Sequence, residues 1–168
     1  MTTPIRAALI TTSTLLVKVA DGLGGLKRLH VSEHLEESIR ASFQDSLDLD
    51  KGLTKGREQE NRWDYLLGHS NSRRIIGLEP HSAKTDQISK VIAKRKAAID
   101  QLRDHLKAHA RVAAWLWVAS GKVAFADTER ARLLLDQNGI RFVGRMVLPK
   151  HLPSSPPPTP TRKASLRR

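Results

Sequence analysis

The sequence predicts an α+β domain, a central mixed β-sheet with helices packed on it. Two observations carry this reading: short apolar runs that fall into hairpin-like pairs, and longer segments with helical spacing of apolar residues set between them. A third bounds it, because 168 residues with 39% hydrophobic and 27% charged side chains hold one packed core and little more.

In chain order, residues 15–19 and 26–31 read as a first hairpin around Asp21-Gly22-Leu23-Gly24-Gly25. Ser32 then has the character of an N-cap, and Leu35, Ile39, Phe43 and Leu47 recur every four residues, so a helix is expected over 32–47. The charged stretch 48–61, with Gly52 and Gly56, reads as a loop. Residues 63–67 and 74–78 form a second hairpin across Gly68-His69-Ser70-Asn71-Ser72.

Ile88, Val91, Ile92, Ile99, Leu102 and Leu106 then set the period of a long helix over 85–109. The unbroken apolar run 112–119 suits a strand covered on both faces, followed by a short strand at 122–125. A helix from about Asp127 stops at Asn138-Gly139, and residues 140–147 make the last strand. The expected organisation is an N-terminal hairpin or extension over 1–31, the α/β core over 32–148, and a tail over 149–168. Six of the eight prolines crowd into 149–160, so the tail is expected to be disordered, Pro-rich and basic.

Twenty-nine Lys and Arg against 17 Asp and Glu leave a net charge of +12. The tail accounts for five of these, and the remaining +7 makes the body basic as well. Such an excess draws in phosphate polymers or anionic membranes, or serves solubility, and charge alone does not separate them; nucleic acid, with DNA favoured, is the expected partner, and no membrane. A homodimer and a protein partner for the Pro-rich tail are further expectations. With no cysteine, disulfide frameworks and Cys-based zinc modules are excluded. The apolar stretch 7–17 is too polar and too short to span a bilayer, and a cytoplasmic location is expected.

The chemistry is expected in Arg62-Trp63-Asp64-Tyr65-Leu66-Leu67 and Ile75-Ile76-Gly77-Leu78-Glu79-Pro80-His81. Each run carries a carboxylate in or beside a buried strand, where it needs a cation. Strand alternation puts Glu79 and His81 on one face, and pairing of the two strands brings Asp64 beside Glu79. Two close carboxylates repel, and a hard divalent cation relieves that repulsion.

These residues, in a helix–hairpin–helix–strand order spanning roughly 32–147, resemble the PD-(D/E)XK, or restriction-endonuclease-like, nuclease superfamily. The family motif places Asp on the first hairpin strand, then an acidic residue, any residue and Lys on the next; Asp64 and Glu79-Pro80-His81 stand there. The resemblance implies a nuclease with Asp64 and Glu79 as ligands of Mg²⁺ or Mn²⁺, the Pro80 carbonyl as a third, and Glu37 (or Glu36) contributed by the first helix. His81 replaces the motif lysine, for which Lys84 or Lys90 would substitute. An imidazole there would steady a phosphate when protonated or accept a proton when neutral. The competing reading is a non-catalytic nucleic-acid-binding or protein-interaction module on the same fold, with His81 marking a decayed site; in the plainest reading Asp64 sits in a turn or pairs with Arg62, and Glu79-Pro80 ends a strand before a helix.

Lys90, Lys94, Arg95 and Lys96 form a basic stretch on the long helix, read as a phosphate-contacting stripe or a solvated face. His30-Val31-Ser32-Glu33-His34 has the form of an inverted zinc-protease motif, but needs a helix through both histidines. His105 and His109 have metal-compatible spacing without a third ligand, and Trp115 and Trp117 are expected in the core.

Overall fold

In the computed structural model, which describes residues 2–26, 31–124 and 129–155, six strands form one mixed sheet in sequential order. β1 (Ala20–Asp21), β2 (Phe43–Asp48), β3 (Tyr65–His69) and β4 (Arg74–His81) run antiparallel. β5 (Val112–Ala119) and β6 (Ile140–Phe142) then continue parallel to β4. Five helices pack on this sheet: α1 (Pro4–Ala8), α2 (Glu37–Arg40), α3 (Leu49–Leu53), α4 (Ile88–Leu102) and α5 (Glu129–Gln137). The fold class is α+β, as expected. Among the described residues, no helix is long and apolar enough to cross a membrane.

Two apolar layers sandwich the sheet. One joins Trp63, Leu66, Ile75 and Trp115 to α4 through Val91, Ala98 and Leu102; the other joins Tyr65, Leu67, Ile76 and Leu116 to Leu35 and Ile39. Strand alternation explains the division, since neighbours along β3 and β4 point to opposite layers. Trp115 and Trp117 are buried, as expected for a strand covered on both faces. At Gly77 a Cβ would stand 2.7 Å from the Trp115 ring and 3.0 Å from Trp63 Nε1. The missing side chain therefore lets Trp63 and Trp115 meet edge to face over β4, with ring centres 5.0 Å apart.

The second hairpin forms as read, with its turn at Ser70–Arg73 and Gly68 inside β3. Arg73 holds the left-handed backbone at φ 56°, next to a buried His69 Nδ1 to Ser72 Oγ hydrogen bond of 2.7 Å. The first hairpin does not form: Leu16–Lys18 is a 3₁₀ turn, and β1 pairs with Asp45 and Ser46 of β2 instead. Of its second arm, 26–31, residues 27–30, His30 among them, lie outside the described residues. The N-terminal segment is part of the core rather than an extension, with Ile5, Leu9 and Leu15 buried in the α4 layer.

The helix expected over 32–47 is also corrected. Its first part is a 3₁₀ turn, Val31–His34, and the short α2; Ser42 Oγ then bonds the Ile39 carbonyl at 2.6 Å and the chain turns into β2. The supposed loop holds α3, whose N-terminus Asp48 caps through the Lys51 N–H at 2.9 Å. α4 ends at Leu102, seven residues early, because the backbone of 105–107 pairs with Ile10 and Ala8.

The described residues 122–124 are not a strand, while Phe125 and Asp127 lie outside the described residues. α5 does end at Asn138-Gly139, with Gly139 at φ 68°. The last strand is shorter than expected; beyond it Val147 bridges to Leu35, and Pro149–His151 form a 3₁₀ turn with His151 buried. The tail read as starting at 149 therefore begins as packed chain, and 156–168 lies outside the described residues.

Candidate functional site

The register of the β3–β4 hairpin pairs Tyr65 with Leu78, so the next positions outward, Asp64 and Glu79, stand opposite each other. The Asp64 N–H donates to Glu79 Oε2 at 2.9 Å, which locks the two residues together. Both side chains lie on the sheet face that α4 covers. Glu79 has no exposed surface and Asp64 is 7% exposed, so the pair sits where unpaired charge is costly.

The balancing cation is Lys94. It lies three residues after Val91 and four before Ala98, within the buried stripe of α4, and so points at the sheet. Its Nζ donates to Asp64 Oδ1 at 3.1 Å and to Glu79 Oε1. Burial works against the ammonium charge, and the carboxylates of Glu79 and Asp64 outweigh it, so Lys94 is held above its ordinary value of 10.5.

His81 closes the cluster from the rim. Nδ1 faces Glu79 Oε1 at 3.3 Å and Nε2 faces Gln87 Oε1 at 2.8 Å. With oxygen acceptors at both nitrogens, the doubly protonated ring is favoured. The hydrogen bond to Glu79 raises its pKa above the ordinary 6.5; burial opposes this, and Gln87 adds to the rise. The His81 carbonyl accepts from Trp117 Nε1 at 3.2 Å, which fixes the strand end on β5.

A raised histidine stabilises the fold fully below its unfolded pKa, and that contribution disappears as pH climbs through the folded value. The stability gap between wild type and His81→Gln should therefore narrow as pH rises from 6 to 8.5. Urea melts across that range measure it, and a gap that is constant or widens with pH would sink the assignment of His81 as a cation.

The structure thus brings together Asp64, Glu79, His81 and Lys94. It leaves out Lys84, exposed ahead of the 3₁₀ turn Thr85–Gln87, because the position between the carboxylates belongs to a residue one helix further on. Lys90 and Lys96 are exposed on α4, while Arg95 turns toward Trp115, 5.7 Å from the ring centre. The basic stretch therefore splits: Lys94 belongs to the acid pair and is not a solvated phosphate contact. Glu37 is corrected as a ligand. It is exposed on α2, whose Ile39 packs in the layer on the other face of the sheet.

Arg62 pairs with Asp50 at 2.9 Å, leaving the acid pair to Lys94. His34 stands in a 3₁₀ turn against the Arg145 carbonyl and His105 bonds Ser13 Oγ at 2.8 Å, and among the described residues neither belongs to a group of three arranged to hold a metal. Sequence reasoning missed Gln87 and the role of Lys94. The available signal was a lysine inside the apolar stripe of a helix that follows a motif lacking its lysine.

The donor chemistry suits a hard divalent cation. Mg²⁺ is commonly held by one or two carboxylates together with substrate oxygens, and Asp64 and Glu79 already converge on one cationic atom. Among the described residues no group of three or more His, Asp and Glu side chains is arranged to hold a metal ion. No protein-family model, curated protein or solved structure matches the chain.

Proposed function

We propose that the protein is a divalent-metal-dependent nuclease acting on DNA or RNA, with DNA favoured. The observation that carries the reading is the contact of Lys94 Nζ with both Asp64 and Glu79: the cation absent from the motif at His81 is returned to the same carboxylates from the following helix. The reading draws support from the order of hairpin, α4 and parallel β5, while the long first helix of the resemblance is replaced by α2 and β2.

In this reading Asp64 and Glu79 would hold Mg²⁺ or Mn²⁺, which would supply Lewis-acid activation of the phosphate and of water. Lys94, held by both carboxylates, would add its positive charge beside the phosphate. His81, oriented by Gln87, holds the proton exchanged at the rim of the site. The basic surface positions the backbone. A second reading, an inert nucleic-acid-binding module, is favoured by one feature: the cluster is nearly closed, with the Lys94 side chain only 12% exposed and Glu79 sealed.

The test uses single-stranded, duplex and branched DNA and RNA in Mg²⁺, in Mn²⁺ and in chelator. Cleavage should require metal. Glu79→Gln and Asp64→Asn should lower it by more than the ~100-fold that loss of an outer partner costs, while binding through Lys and Arg persists. Binding with no metal-dependent cleavage of any substrate overturns the nuclease in favour of the inert module, and cleavage that survives both substitutions removes the site.

A further inference from the structure

A groove of about 430 Å³ follows the flank of α4 that faces β5. Its floor is aliphatic and aromatic, formed by Ile99, Leu102, Leu106 and Trp115, and its rim carries Arg95, Arg103, Lys107 and Arg111. A second hollow, of about 380 Å³, shares Ala110 and Arg111 with it and extends the basic rim to Arg73 and Arg74. No acidic side chain lines either hollow among the described residues, although Arg103 is paired at the surface with Asp100 at 3.0 Å. Arg95 Nε is buried and has no hydrogen-bond partner among the described residues.

We infer that this groove binds single-stranded nucleic acid. Charge complementarity selects a polyanion, since a rim of Arg and Lys lined by no acidic side chain among the described residues is a phosphate-tracking surface. The apolar floor selects the single strand within that class. Duplex bases are stacked and paired inward, so a duplex offers the floor only its charged backbone; an unpaired strand offers base faces and sugars. The guanidinium of Arg95, already against Trp115, supplies a flat cation of the kind on which bases stack. The groove shares α4 with the acid cluster, Lys94 and Arg95 being consecutive. The inference rests on the nuclease reading only in taking the strand as substrate.

The test is fluorescence anisotropy in chelator, which keeps binding separate from cleavage. The probes are a labelled thymidine oligonucleotide of about 15 residues, within the span of known single-strand sites, and a duplex of the same length. The single strand should bind at least tenfold more tightly than the duplex. Lys107→Glu with Arg111→Glu should weaken single-strand binding at least tenfold and flatten the slope of log affinity against log salt by about 1.4, two phosphate contacts at ~0.7 each. Ile99→Ser, at a position already 39% exposed, should weaken binding with the slope unchanged.

Thermal melts of all variants confirm that they fold. Equal affinity for duplex, or no effect of the charge reversals, overturns the groove. Polyglutamate or phosphatidylserine vesicles that compete as well as the oligonucleotide overturn it too, by showing a peptide or lipid site. Loss of the groove effects with cleavage intact refutes this inference alone; intact groove binding with no cleavage refutes the nuclease alone.

Discussion

Replacing Lys94 by methionine is expected to destabilise the fold by about 3–5 kcal/mol, the cost of leaving buried charge without its partner. Methionine preserves length and apolar packing, so the effect isolates the ammonium. In the variant, Asp64 and Glu79, with side chains 10% and 0% exposed, face each other without the ammonium they share, while the rim histidine still meets Glu79. For a chain of this size each kcal/mol corresponds to roughly 2–4 °C, so a fall in Tm of about 6–20 °C is the readout.

Adding Glu79→Gln should restore at least ~1 kcal/mol, since it removes the repulsion that Lys94 had answered, and the two changes should not be additive. A loss below about 1 kcal/mol, within the range of an exposed ion pair, would mean that Lys94 is a surface charge. Additivity would deny the coupling on which the site is built.

The second large effect is expected at Gly68→Ala. Gly68 stands opposite Asp45 in the β2–β3 register, and a Cβ there would overlap the Asp45 carboxylate while lying 3.1 Å from Pro4. That carboxylate is fully buried and accepts the Ile5 N–H at 3.0 Å and the Arg6 N–H at 3.1 Å, tying the first turn of α1 to the sheet. Displacing it strains the packing and strands buried donors, for a loss of about 2–4 kcal/mol. Gly121→Ala, where nothing lies within 4 Å, should stay within about 0.5 kcal/mol and serves as the control. Equal melting of the two variants would show that Asp45 re-seats freely and that α1 is held by apolar contacts alone.

The β3–β4 hairpin, the core of α4, β5 and the stop of α5 at Gly139 were legible in the sequence because each rests on a local rule. These are apolar runs bounded by turn residues, a helical stripe, and a glycine at positive φ. The pairing of Asp64 with Glu79 was legible too, since a hairpin makes register a local property.

The strand β2 was not legible. Leu35, Ile39, Phe43 and Leu47 keep helical spacing, yet a register shift between Phe43 and Asp45 sends Phe43 to one apolar layer and Leu47 to the other. One helix face cannot do that, and only the sheet on either side of β2 decides it. The place of Lys94 was likewise beyond local reading. It lies 30 residues from Asp64 and 15 from Glu79, and periodicity alone leaves a lysine in an apolar stripe ambiguous. The sequence by itself determined that two buried carboxylates need a cation; the packing of α4 across the sheet decided which residue supplies it, because a lysine is retained in a core-facing stripe only where opposite charge waits beneath it.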